Sequence, residues 1–181
     1  NSDYHEYLYT TPRYERFMDG ETLEEWIELL GPDVLLGTHA DATADLTERF
    51  INYNEKNSLQ LNAEEKEQLI LAAWIHDWGE IIIEGEGIGD VSFENKKDSD
   101  WETETVIVNK ILSTFENEKI RETFHLTYQT VAQHTDKKLS FIFNLIETLG
   151  YLETALIAYK GKNGRRIANW KGLVGNVLSN Q

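Results

Sequence analysis

Apolar residues recur along most of this chain at three- and four-residue spacing, and no stretch alternates at period two for long enough to build a sheet. A helix buries such a stripe, whereas a strand buries every second residue, so the expected fold class is all-α. After an irregular start around Thr11-Pro12-Arg13, Asp19-Gly20 precede a helix predicted over 21–30, which Gly31-Pro32 end. A second helix over 37–54 carries Leu46, Phe50 and Tyr53 as its stripe. Asn62 reads as the N-cap of a third, with Leu69, Ala72, Ala73 and His76 along one side. Residues 84–99 form a glycine-rich and then charged loop, a candidate lid. Further helices are predicted over 99–115, with Trp101, Val108, Ile111, Leu112 and Phe115 inward, and over 117–134. The last two cover 137–159, with Leu139, Ile142, Phe143, Ile146 and Leu149, and the short amphipathic stretch 165–178.

The chain has 181 residues and neither an internal repeat nor a Pro/Gly/Ser-rich linker. One domain over 1–181 is therefore expected, with its core in about 8–160 and the last helix as an appendage. Its 40% hydrophobic content supports a packed core, in which most of the five Trp are expected. The absence of Cys excludes disulfide scaffolds, cysteine zinc sites, iron–sulfur ligation and thiol nucleophiles. With 17 Lys and Arg against 32 Asp and Glu, the net charge of −15 argues against nucleic acid and anionic membrane surfaces as partners. The longest uninterrupted apolar run, Leu69 to Ile75, is far shorter than the ~20 residues that span a bilayer. No basic start followed by an apolar run marks a signal peptide, so a soluble, cytoplasmic protein is expected.

The segment that carries chemistry is Leu71-Ala-Ala-Trp-Ile-His76-Asp77-Trp-Gly-Glu80, where an apolar helix face runs into His-Asp and meets Glu80 one turn after His76. Burying that face takes an imidazole and carboxylates out of water, which is costly unless they pair or bind a metal. His39, in Gly37-Thr38-His39-Ala40-Asp41, and Glu147, among Phe143, Ile146, Leu149 and Gly150, add an imidazole and a carboxylate from two other helices. Taken singly, each of these residues is satisfied equally well as a hydrogen-bonded core residue or a solvated edge. Together they make a mixed nitrogen and oxygen donor set that suits one divalent transition metal such as Mn, Fe, Co, Ni or Zn. Four protein ligands leave an octahedral ion two positions for water and substrate, the arrangement that acidifies a water and polarises a phosphoryl oxygen.

His39, then His76-Asp77, then a late acid at Glu147, resembles the H…HD…D pattern of the HD-domain metal-dependent phosphohydrolases. Ile75-His-Asp-Trp-Gly-Glu-Ile-Ile-Ile83 is similar to the "HD-x-x-E" helix end of their small 5′-deoxynucleotidase-like branch, and Pro12-Arg13 to the "PR" before its first His. Glu147-Thr-Leu-Gly-Tyr-Leu-Glu-Thr-Ala-Leu-Ile-Ala-Tyr159 is similar to that branch's "D-K-L-E-M-x-L-Q-A-Y". The resemblance covers about residues 8–160. It implies a helical domain with a metal between helices, held by His39, His76, Asp77 and the late acid. It further implies Glu80 as general acid/base and Arg13 as the phosphate grip, with a nucleotide as substrate. The late acid is Glu147 here, one methylene longer than Asp. The acid expected five residues after Glu80 is Gly85, flanked by Glu84 and Glu86.

The expected reaction is removal of phosphate from deoxynucleoside 5′-monophosphates, with nucleoside triphosphates as the alternative substrate and a non-catalytic metal- or nucleotide-binding module as the alternative of another class. A helical protein without a site is a third reading. The negative chain repels an anionic nucleotide at long range, and screening over ~8 Å at physiological salt lets the metal, Arg13 and one lysine act locally. Trp78, beside Asp77, is a candidate base-stacking wall. Lys96-Lys97 and Lys137-Lys138 read as solvated faces, as does the Arg165-Arg166 cluster, while His125 and His134, nine apart, share a helix face poorly. The resemblance and the apolar segment Ile167 to Leu178 point to a homodimer.

Overall fold

The computed structural model describes residues 3–13, 22–30, 34–55, 60–83, 85, 87, 89, 96–132 and 135–160. The described chain is all-α, with helices α1 (Asp3–Leu8), α2 (Leu23–Leu30), α3 (Leu36–Glu55), α4 (Ala63–Ile75), α5 (Asp98–Ser113), α6 (Glu118–Thr127) and α7 (Lys137–Lys160). A 3₁₀ turn, Trp78–Glu80, follows α4, and a π-helical turn, Tyr128–Ala132, extends α6. These bounds lie within two residues of the predicted starts and ends, except that α6 changes its winding after Thr127. The start of the chain, expected to be irregular, contains α1. The stretch 165–178, His134, Glu84 and Glu86 lie outside the described residues.

The centre of the core is formed by α3, α4 and α7. Ala44 and Ile51 of α3 meet Leu69, Ala72 and Ala73 of α4, and Leu139, Ile142, Phe143 and Ile146 of α7 close the cluster with Val131. The small residues matter, because alanines at a crossing let two helix backbones approach closely. The buried stripe of α3 runs through Gly37, Ala40, Ala44, Thr47 and Ile51. Tyr53, placed on that stripe by its spacing, is instead 69% exposed. Leu149 of α7 also turns outward and, with Phe141, Leu145, Leu152 and Leu156, lies on an exposed apolar face. That helix is long and apolar enough, over Lys137–Ile157, to cross a membrane by length and composition, yet its other face lies in the core. Of the four described tryptophans only Trp26 is fully buried, and Trp74 is exposed.

Local sequence explains where α4 begins. The Asn62 side chain accepts from the Glu65 amide at 2.9 Å, and Glu65 reaches back to the Asn62 amide at 2.9 Å, a reciprocal capping box. Its end depends on tertiary packing. The chain turns at Asp77 (φ −94°, ψ 8°) into the 3₁₀ turn, so Glu80 does not continue the α4 face that carries His76. At Gly79 the turn presses on α5, and a Cβ there would lie 2.6 Å from Glu104 Cβ and 2.8 Å from the Tyr128 hydroxyl. Gly79→Ala is therefore expected to cost about 1–3 kcal/mol through overpacking, read as a lower urea midpoint at unchanged slope. An unchanged midpoint would show that the turn does not bear on α5.

A short strap brings the start of the chain to the same place. Pro12 and Leu35 form an isolated antiparallel bridge, with the Arg13 amide donating to Val34 O at 2.6 Å and the Leu36 amide to Thr11 O at 3.1 Å. The Ile82 amide donates to the Thr11 hydroxyl at 3.4 Å, tying the strap to the segment after the 3₁₀ turn. Tyr9 packs its ring over Gly37, where a Cβ would come within 2.8 Å of it, and its hydroxyl donates to Asp41. Past the turn, Gly85 (φ 83°), Gly87 (φ 128°) and Gly89 (φ 66°) adopt left-handed backbone, as the loop reading requires.

Candidate metal centre

Three of the predicted ligands converge where the first turns of α3 meet the end of α4. His39 is buried on α3, held from one turn along the helix by the Thr43 hydroxyl, 3.2 Å from Nε2. His76 sits at the C-cap of α4, and its Nδ1 lies 2.9 Å from the carbonyl of Ala73. A carbonyl only accepts, so Nδ1 carries a proton and donates, and the neutral form of the ring presents its lone pair at Nε2. That Nε2 faces His39 Nε2 at 3.3 Å, Asp77 Oδ1 at 3.2 Å and Glu147 Oε1 at 3.8 Å. Lone pairs converging in this way need a proton or a cation among them.

His39, His76 and Asp77 form a group able to hold a metal ion, each offering a ligand atom within 4.8 Å of the others. Two nitrogens each about 2.1 Å from one ion lie roughly 3.0–3.4 Å apart at octahedral or tetrahedral angles, which the two Nε2 atoms match. The His76 hydrogen bond to Ala73 is the kind of second contact that orients a metal-bound imidazole. Glu147 approaches His76 from α7 and completes a ring of four predicted ligands, though it stands outside the three-residue group.

Arg13 reaches the cluster from the strap, nearly fully buried, with Nε 3.8 Å from Asp77 Oδ2 and its guanidinium over the Tyr151 ring at 6.0 Å. Glu80 is also buried, but its carboxylate meets Lys96 at 3.0 Å, and the same ammonium lies 2.6 Å from Glu104 on α5. Lys96, read from sequence as a solvated lysine, has only 10% of its side chain exposed. Lys97, its neighbour, is exposed as expected. Neither Lys96 nor Glu104 was signalled as a pair, because the two approach through the fold and not along one helix. The Trp78 ring is stacked on Phe115 at 6.2 Å and lies against Phe124 at 5.6 Å. His125 is half-buried on α6 beside Gln129 and does not join the group.

Charge in this region is out of balance. Among the described residues, the carboxylates of Asp77, Glu80, Glu104 and Glu147, with Asp100 near Glu104, outnumber the two cations Arg13 and Lys96. A cation bound there would offset part of that excess. Burial would raise the Asp77 carboxyl, but His76 and His39 in their protonated form, Arg13 and Lys96 more than offset it and hold Asp77 below its ordinary value. Burial raises Glu147, with His76 opposing and the Asp77 charge adding to the rise. Burial likewise raises Glu104 against the pull of Lys96.

A carboxyl raised in the folded state binds more protons folded than unfolded, so stability falls as pH climbs from the ordinary value of 4.5 through the raised one. Asp77, held low, works oppositely, and its contribution is lost only as pH drops below 3.8. The metal-free protein is therefore expected to melt at higher temperature near pH 5 than near pH 7, roughly, with bound Mn²⁺ removing that difference. Melting curves with and without the ion decide it, and a metal-free midpoint that climbs with pH would contradict the charge count.

Comparisons of the chain with protein-family models, with curated proteins and with solved structures find no match.

Proposed function

We propose that this chain is a metal-dependent phosphohydrolase of the HD type that releases phosphate from deoxynucleoside 5′-monophosphates. The observation that carries the reading is the convergence of His39 Nε2, His76 Nε2 and the Asp77 carboxylate, with a buried arginine alongside. His39, His76 and Asp77, with Glu147 as fourth ligand, would hold Mn, Fe, Co, Ni or Zn. The bound ion would acidify a water and polarise a phosphoryl oxygen.

The chain's own groups do the remaining work. The Arg13 guanidinium, fixed by the strap and flanked by Asp77, offers forked donors that match phosphate oxygens. Glu80 takes a proton from the attacking water as the new oxygen–phosphorus bond forms. The phosphorus–oxygen bond to the sugar breaks in line, and the leaving alkoxide is protonated in turn. Trp78, with its ring committed to Phe115 and Phe124, buttresses the 3₁₀ turn that carries Glu80.

The test is product analysis by ion exchange. Metal-stripped protein is incubated with deoxynucleoside mono- and triphosphates while Mn, Co, Zn, Ni or Mg is added back. Metal-dependent phosphate release from the monophosphates is expected. Tripolyphosphate or stepwise loss from triphosphates would move the reading to a triphosphohydrolase. Bound metal without turnover would leave a binding module, the reading that the Gly85 and Glu147 departures favour.

A further inference from the structure

Lys96 stands just before α5, and nothing in its local sequence calls for burial. Its ammonium nevertheless lies between Glu80 on the 3₁₀ turn and Glu104 on α5, and 4.6 Å over the ring of Trp101. Taking three charges out of water is costly, and apolar side chains of equal volume commonly give the same stability or more. Stability alone therefore does not account for the triad. What it does supply is orientation. Glu80 has three rotatable side-chain bonds, and a buried ammonium anchored from behind by Glu104 confines its carboxylate to one position. The Lys96 charge acts on Asp77 and on Glu147, so the triad lies within electrostatic reach of the metal group.

We infer that Lys96, backed by Glu104, is a positioning residue that holds the Glu80 carboxylate beside the His39–His76–Asp77 group as a proton acceptor. Its part in turnover rests on the phosphohydrolase reading. Among the described residues, the charged and polar groups bearing on the triad include Asp77 and Glu147 at the site, Asp100 on α5 and the Tyr128 hydroxyl beside Gly79.

Lys96→Met alone leaves Glu80 and Glu104 opposed and can cost the fold. The paired change Lys96→Met with Glu104→Gln removes the cation and one acid together and keeps the net charge. In full-length protein loaded with Mn²⁺ and given a deoxynucleoside 5′-monophosphate, the paired variant should keep its metal content and KM. Its kcat should fall roughly 100-fold or more, within the usual range for losing a positioned acid or base. The acid limb of its kcat profile should move to higher pH, because Glu80 has lost its cation. Lys96→Arg should restore kcat to within about tenfold, since the charge returns. An unchanged kcat and acid limb in the paired variant would overturn the proposal.

A second readout needs no turnover. In metal-free protein, a crystal structure of the paired variant should show the Glu80 carboxylate displaced from its wild-type place. An unmoved carboxylate overturns the positioning role. A wild-type protein that hydrolyses no nucleotide overturns the phosphohydrolase reading, and the variant's structure still decides whether Lys96 positions Glu80.

Discussion

Asp77→Ala is expected to strip the metal from the protein and abolish phosphohydrolysis while the helices remain in place. Asp77 is the hub of the cluster, 3.2 Å from His76 Nε2 and 3.8 Å from both His39 Nε2 and Arg13 Nε. Removing it leaves two imidazoles and a more distant glutamate, and it releases Arg13 from one of its anchors. Loss of an outer partner of a metal ligand already lowers affinity about 10–100-fold, so loss of the ligand itself should exceed that range. Elemental analysis after dialysis, paired with the phosphate-release assay, reads both effects. An enzyme loses metal and turnover, a binding module loses metal alone, and a protein without a site loses some stability at most. Asp77→Asn, nearly identical in shape, separates the lost charge from any lost packing. Full metal content and full turnover in Asp77→Ala would mean that the centre lies elsewhere.

Phe143→Ala should show the second large effect, on stability and on the metal together. Phe143 is almost fully buried on α7, and its ring meets the His76 imidazole edge-on at 5.4 Å. Truncating a buried Phe costs about 3–5 kcal/mol, which for a chain of this size lowers the melting temperature by roughly 6–20 °C. The cavity left behind faces His76 directly, so the imidazole loses the wall that fixes its plane and Mn²⁺ should bind more weakly. Phe141→Ala, two residues earlier and 70% exposed, provides the comparison. A surface change of that kind stays within about 0.5 kcal/mol. Similar losses from the two substitutions would show that α7 does not support the site.

What the sequence made legible is what neighbours along the chain decide. The capping box at Asn62 is set by residues three apart, and it places the start of α4 within the sequence alone. The small-residue stripe of α3 and the apolar face of α4 have to meet, and their meeting brings His39 to His76 across 37 residues of chain. Periodicity could not say which of two adjoining stripes faces inward. Tyr53 and Leu149 were therefore placed inside, although α3 buries its alanine and threonine side and α7 turns Leu149 out. The end of α4 was hidden for another reason. Only the press of Gly79 against Glu104 on α5 turns the chain there, and it moves Glu80 off the His76 face and into reach of Lys96. A lysine pair in a charged loop looks solvated until the fold brings two carboxylates to one of its members.

The hydrogen bond from His76 Nδ1 to the Ala73 carbonyl couples the site to the local opening of a helix end. The last turn of a helix unfolds and refolds far more often than its centre. Here such an excursion also releases the ring that carries Nε2. A cation held on that nitrogen would favour the closed turn. Binding of the ion and protection of the final α4 amides against hydrogen exchange should therefore rise together.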